Sequence, residues 1–179
     1  MHGILRYRFA EQFFLQPQGA RVQDQITDPN AMTYFARRGV APQWRGFLRA
    51  MMETLEGHMD HGAREGLLRL VGSRMASLMP LPACATLGEL EARMNDTLAV
   101  ADWGYVQLSL DVNNRAVLLR HVAAPLVGTH ADLTGSWVGS VLEGLYGIWF
   151  GNQPGAEPGI HVRRWGSDGG AMLLRYARG

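Results

Sequence analysis

Residues 103–122 read WGYVQLSLDVNNRAVLLRHV, and within them the spacing of apolar residues changes period. Val106, Leu108, Leu110 and Val112 alternate with Tyr105, Gln107, Ser109 and Asp111, the pattern of a half-buried strand. Asn113-Asn114 tolerates the positive φ angles of a tight turn, and Arg115 to Val122 supplies a returning strand, so a β-hairpin is expected. Upstream of Trp103 the period is helical instead. The chain is therefore predicted to be α+β, with N-terminal helices followed by antiparallel β-hairpins and one apolar helix inserted between them.

On the N-terminal side, Trp44, Phe47, Leu48, Met51, Met52, Leu55 and Met59 follow the template of a helix with one apolar face. A second run, Leu67, Leu70, Val71, Arg74, Met75 and Leu78, continues to about Met79, where Pro80 and Pro82 stop it. Gly57 and Gly62 leave open whether these runs are two helices or one bent rod. Thr86 and Glu89 make a capping box for a third helix to about Ala101, burying Leu87, Leu90, Met94 and Leu98. Beyond the hairpin, 123–135 reads as loop. Ser136 is then placed to cap a helix from Trp137 to about Phe150, apolar almost all round and so buried or interfacial. After the Gly/Pro-rich stretch 151–159, Ile160 to Trp165 and Ala171 to Ala177 form a second hairpin across Ser167-Asp168-Gly169-Gly170.

Residues 1–42 differ in character. Pro17, Gly19, Pro29, Gly39 and Pro42 interrupt them and no long periodic run is present, so they read as an N-terminal arm preceding a domain at 43–179. The arm carries aromatics at Tyr7, Phe9, Phe13, Phe14, Tyr34 and Phe35. It can dock on its own domain, on a neighbouring subunit or on an extended ligand. Arg6, Arg8 and Glu11 break every apolar stretch before it reaches signal-peptide length, so the cytoplasm is the expected compartment.

Composition narrows the chemistry. The 179 residues include 47% hydrophobic and 18% charged residues with a formal net charge of +1, which carries no nucleic-acid signature. All 17 basic residues are arginine. Without lysine, a Schiff base, a lysine general base and a phosphate-binding P-loop lysine are excluded. The single cysteine, Cys84, forms no internal disulfide; it lies before a helix whose N-terminus could lower its pKa, but no catalytic-cysteine signature surrounds it. His58 and His61 are spaced to share a helix face, with Glu53, Glu56 and Asp60 nearby, yet no second ligand pair accompanies them. The expectation is no catalytic residue, no metal and no cofactor.

The apolar segment 136–150 holds the more informative residues. Gly139, Ser140, Gly144 and Gly147 put small side chains along one side, so another backbone can approach closely, either the protein's own sheet or another subunit. Together with Trp137, Glu143 and Tyr146 they are the candidate interface residues. Glu143, the only charge in that helix, is either exposed or paired with an arginine. A glycosidase would need a second carboxylate beside it, and none is visible.

Two segments resemble a known family. Gly135 to Trp149, GSWVGSVLEGLYGIW, is similar to the G-[TS]-W-x-x-x-V-L-E-G-L-Y-G-x-W helix of the D subunit of bacterial cellulose synthase, and Val71-Gly72-Ser73-Arg74-Met75 followed by Met79 to Cys84 resembles its V-G-x-x-M…M-P-x-P-C segment. Trp103-Gly104 is similar too, and the resemblance covers about residues 43 to 179. It implies an accessory component without enzymatic activity that promotes export and crystalline packing of glucan chains, assembled as a ring-like homo-octamer of dimers. The implied partners are further copies of itself, the cellulose synthase complex, a proline-rich scaffold protein and cellulose chains. Two roles follow from it, a cytoplasmic scaffold that aligns synthase complexes or a periplasmic collar through which chains pass, and Trp44, Tyr105 and Trp165 are then candidates for stacking on glucan, or else core or subunit-interface residues. The long arm departs from the family, so roles assigned to the family's N-terminus transfer poorly.

Overall fold

The computed structural model describes residues 40–178, and most of the 1–42 arm lies outside them. Four helices and four strands occur among the described residues: α1 Pro42–His58, α2 His61–Leu78, α3 Leu87–Val100, β1 Tyr105–Asp111, β2 Ala116–Val122, α4 Val138–Gly151, β3 Ile160–Asp168 and β4 Ala171–Arg178. The order is α+β with helices ahead of the sheet, as the change of period at Trp103 predicts.

Local chemistry explains the boundaries. Between α1 and α2 the chain extends through Met59 and Asp60, and the Asp60 carboxylate accepts from the Ala63 amide at 2.9 Å. A capped break thus makes two helices rather than a bent rod, and neither Gly57 nor Gly62 causes it. Helix α3 opens on the predicted box: Thr86 Oγ1 accepts from the Glu89 amide at 3.1 Å, and the Glu89 carboxylate reaches back to Ala85, one residue further than the usual partner. For α4 the expected Ser136 cap is not used. Asp132 Oδ2 instead accepts from the Trp137 amide at 3.2 Å, and the helix begins at Val138.

The sheet has order β1-β2-β4-β3, antiparallel throughout, so the two hairpins lie side by side and β2 pairs with β4. The first hairpin corrects one expectation. Its positive φ falls on Arg115, at 48°, while Asn114 keeps its amide on the Asp111 carboxylate, so Val112–Arg115 form a four-residue loop. In the second hairpin Gly169 and Gly170 both take positive φ, as a two-residue primed turn requires. Strand β3 runs three residues past the predicted Trp165, because an irregularity between Arg164 and Gly166 absorbs Trp165 as an extra residue before pairing resumes.

Helix α4 is the centre of the molecule. Ten of its residues, from Val138 to Phe150, are buried between α2 on one side and the sheet on the other. Its core neighbours include Leu90, Met94 and Leu98 of α3 and Val106, Leu119, Val162, Leu174 and Tyr176 of the sheet.

Helix α2 forms over the predicted run and buries a different line of residues. Its buried line is Leu68, Gly72 and Ala76, whereas Leu67, Leu70, Val71 and Leu78, the residues that mark it as amphipathic, face solvent. The reason is closeness. A Cβ at Gly72 would run into the Val141 carbonyl, and one at Gly144 would run into the Arg69 carbonyl, so α2 and α4 meet backbone to backbone through their small residues.

Candidate functional site

The carboxylate of Glu143 joins three elements. Arg69 of α2 donates to Oε2 at 3.0 Å, the Arg164 amide of β3 donates to Oε1 at 2.7 Å, and Arg163 lies 3.7 Å from Oε2. The side chain is only 9% exposed, so of the two situations open for Glu143 the structure holds the paired one. Arg69 in turn sits 3.6 Å from Glu65, and Arg164 donates to the Ser136 carbonyl at 2.7 Å. Glu143 also satisfies a free amide on edge strand β3. Edge strand β1 is treated likewise: Asn95 of α3 both accepts from the Val106 amide and donates to its carbonyl, and Glu91 accepts from the Leu108 amide. Helix side chains thus occupy backbone groups on both edges of the sheet, which blunts unplanned strand pairing. Sequence reasoning misses Asn95 and Glu91 because a polar residue beside an apolar helix face looks like an ordinary boundary position.

The small residues of α4 do not form one groove. Gly144 receives α2 of the same chain, neither the sheet nor a second subunit; Gly139 receives the Arg164 side chain of β3; Gly147 has open space beside it. Ser140 is buried, and Tyr146, fully buried, lies with its hydroxyl 2.7 Å from His121 Nδ1. Trp137 donates its indole N–H to the Val127 carbonyl at 2.8 Å. Burial pushes the Tyr146 hydroxyl pKa well up and pulls the His121 imidazole down to about 4. His121 Nε2 has no hydrogen-bond partner among the described residues, which marks the pair as a neutral polar island in the core. Its strand parity with Val117 and Leu119 is the signal that could place it inward.

The remaining candidates separate. His58 ends α1 and contacts the Thr54 carbonyl at 2.8 Å, while His61 begins α2, so the break at Asp60 removes the shared helix face. Cys84 is buried, its amide donating to Gln153 Oε1 at 2.9 Å, and burial raises its thiol pKa rather than the helix lowering it. Trp44 is exposed on α1 and packs edge-on to Phe47 with ring centroids 5.8 Å apart. Tyr105 and Trp165, both exposed, lie on β1 and β3, at opposite edges of the sheet with two strands between them. The three aromatics do not converge.

Among the described residues, exposed large apolar side chains gather on two helices. On α1, Trp44 and Phe47 are each 56% exposed with Met51 beside them, and on α2 Leu70 and Leu78 are 68% and 67% exposed with Leu67 and Val71 close by. Two successive helices thus turn large apolar side chains outward.

The family model for the D subunit of cellulose synthase matches residues 30–177. Cellulose synthase operon protein D of Komagataeibacter xylinus is 38% identical over 115 residues, covering 64% of this chain and 74% of that protein, and the protein of the same name from Komagataeibacter sucrofermentans has the same figures. A further Komagataeibacter xylinus protein of that name is 34% identical over 125 residues, 70% of this chain and 78% of its own.

Proposed function

The chain belongs to the family of cellulose synthase D subunits, and on that footing we propose that it acts in cellulose synthesis as a non-catalytic, self-assembling scaffold beside the synthase complex. In this role it promotes export and crystalline packing of glucan chains, with further copies of itself and the synthase complex as partners. The observation that carries the reading is the pair of apolar stripes that α1 and α2 leave exposed among the described residues. Exposed apolar area of that kind on a folded domain marks an interaction surface. Light scattering on the full chain tests the assembly: a particle of several protomers is expected, and a monomer at high micromolar concentration rejects it. Deleting the protein from its host should lower the crystallinity of secreted cellulose in fibre diffraction; unchanged cellulose rejects the role. The proposed compartment is the cytoplasm, where a fluorescent fusion should line one side of the cell only when the synthase is present.

A second reading has the protein bind glucan directly, and the exposure of Tyr105 and of Trp165 at the β3 irregularity favours it. Titration calorimetry with cello-oligosaccharides at millimolar concentration separates the two readings. Heat that disappears in Trp165→Ala supports binding; no heat leaves scaffolding alone.

A further inference from the structure

Helices α3 and α4 pack on the face of the sheet that carries Val106, Leu119, Val162 and Leu174, so the opposite face lies away from every helix of that core. Strand alternation turns Leu118 and Arg120 of β2, and Leu173 and Arg175 of β4, to this outer face, all four half-buried. The register sets Arg120 opposite Leu173 and Leu118 opposite Arg175, so the two arginines lie diagonally across a small apolar floor. Neither forms an ion pair with a carboxylate of the described residues. Arg120 donates to Gln107 Oε1 and Arg175 to the Asn114 carbonyl, each at 3.4 Å, which is long for a hydrogen bond. The Arg175 Nε is buried with no partner at all. Arg163 of β3 stands directly opposite Arg175 in the register, and like charges so placed destabilise each other. Arg163 has an outlet round the edge of the sheet, 3.7 Å from Glu143. Arg175 does not.

We propose that this patch binds a short acidic segment of another protein, which sets carboxylates on Arg120 and Arg175 and an apolar side chain on Leu118 and Leu173. Charge chooses the occupant: a guanidinium that lacks an internal acid is matched in shape and sign by a carboxylate from outside, held by paired N–H donors. Charge also limits its length. Strand parity puts Asp111 and Asp168 on the same face, at diagonal corners of the sheet. Asp111 accepts from the Asn114 amide at 3.1 Å and from its side chain at 2.8 Å, and these bonds, with a smaller contribution from the Arg175 charge, hold its pKa down. A carboxylate at either corner repels a long polyanion and tolerates one or two acids between them. The net charge of +1 likewise suits a short acidic peptide better than a nucleic acid, which needs an extended basic track. Residues 1–39 match the patch poorly, because Arg6, Arg8, Arg21, Arg37 and Arg38 outnumber Glu11, Asp24 and Asp28. The site lies across the sheet from the apolar stripes of α1 and α2 and does not depend on self-assembly.

The test is fluorescence anisotropy on the full chain, with a fluorescein-labelled peptide of alternating glutamate and leucine as the probe. Saturable binding is expected, weakened about tenfold or more in Arg120→Met/Arg175→Met, where the methionines keep the aliphatic stems and lose the charge. Arg93→Met, on the exposed side of α3, should bind as wild type does. A second readout separates this role from a structural one: Arg175→Met should melt no lower than wild type, since it removes the like charge opposite Arg163. A lower melting temperature makes Arg175 a support of the sheet and overturns the proposal. So do an absence of saturable binding, equal weakening in Arg93→Met, equal binding of the same peptide with glutamine for glutamate, and tighter binding of an oligothymidylate. A double variant with a smaller particle mass than wild type would make the face a contact between copies and overturn it too. A monomeric wild type that binds the peptide rejects self-assembly and supports this site.

Discussion

Helices α4 and α1 are both rich in large apolar residues, and the fold uses them in opposite ways. Helix α4 is enclosed by α2 and the sheet, and its one charge, Glu143, is met by Arg69 and the Arg164 amide. Helix α1 buries Met52 alone and shows solvent Trp44, Phe47 and Met51. Apolar content therefore does not say which helix is core. What separates them is the small residues: Gly144 opposite Arg69 and Gly72 opposite Val141 let two backbones close, and α1 has no such match among the described residues.

The contrast breaks most severely at Gly144. Gly144→Leu puts a branched side chain where the Arg69 carbonyl lies, and because backbone cannot yield as a side chain does, the loss is expected to be upwards of about 3 kcal/mol. Thermal melting should show a protomer that is barely folded; a melting point near wild type would mean that α2 and α4 do not touch there.

Acid probes the same enclosed region through His121. Its imidazole is held near 4 against an ordinary 6.5, so the unfolded chain takes up the proton first as pH falls. Stability is complete above 6.5 and is lost between 6.5 and about 4, by about 3 kcal/mol in total at 1.36 kcal/mol per unit. Urea unfolding at a series of pH values checks this, and His121→Gln should flatten the slope. A slope that persists in the variant would move the titration elsewhere.

A smaller effect is expected at Glu143. Glu143→Gln keeps an acceptor for the Arg164 amide but removes the charge facing Arg69, whose side chain is 32% exposed and retains water. The cost is therefore about 1–2 kcal/mol, below that of a fully buried pair. Guanidinium unfolding resolves a loss of that size; none at all would mean that solvent already screens the pair. Smallest of all, Phe47→Glu should change protomer stability by no more than about 0.5 kcal/mol, as surface positions do. A drop in melting temperature of several degrees would show that α1 is part of the core after all and would erase the contrast with α4.

Legibility in the sequence follows the range of the interaction. The capping box at Thr86, the strand alternation from Tyr105, the Gly169-Gly170 turn and the length of α4 are set within a few residues, and each appears where the pattern puts it. Helix α2 is legible by its period, but its apolar stripe points to the wrong side. The stripe and the Gly72 line are both regular, and nothing local says which of them meets α4. The candidate interface residues of α4 stand out for small size and apolarity, and those properties serve equally inside a protomer, where Gly139, Ser140, Gly144 and Tyr146 are buried.

Fold class, the order of the elements, the family and the presence of a carboxylate in an apolar helix follow from the chain read as a string, because periodicity, capping and rare motifs are written in neighbouring residues. It took the folded protomer to show that Glu143 joins α2 to β3, that His121 meets Tyr146 in the core, and that α1 faces outward. The first two outcomes depend on pairs 21 to 74 positions apart in the chain. At such separations the choice among partners is made by which backbones can approach each other, and that is a property of the packed whole rather than of any segment.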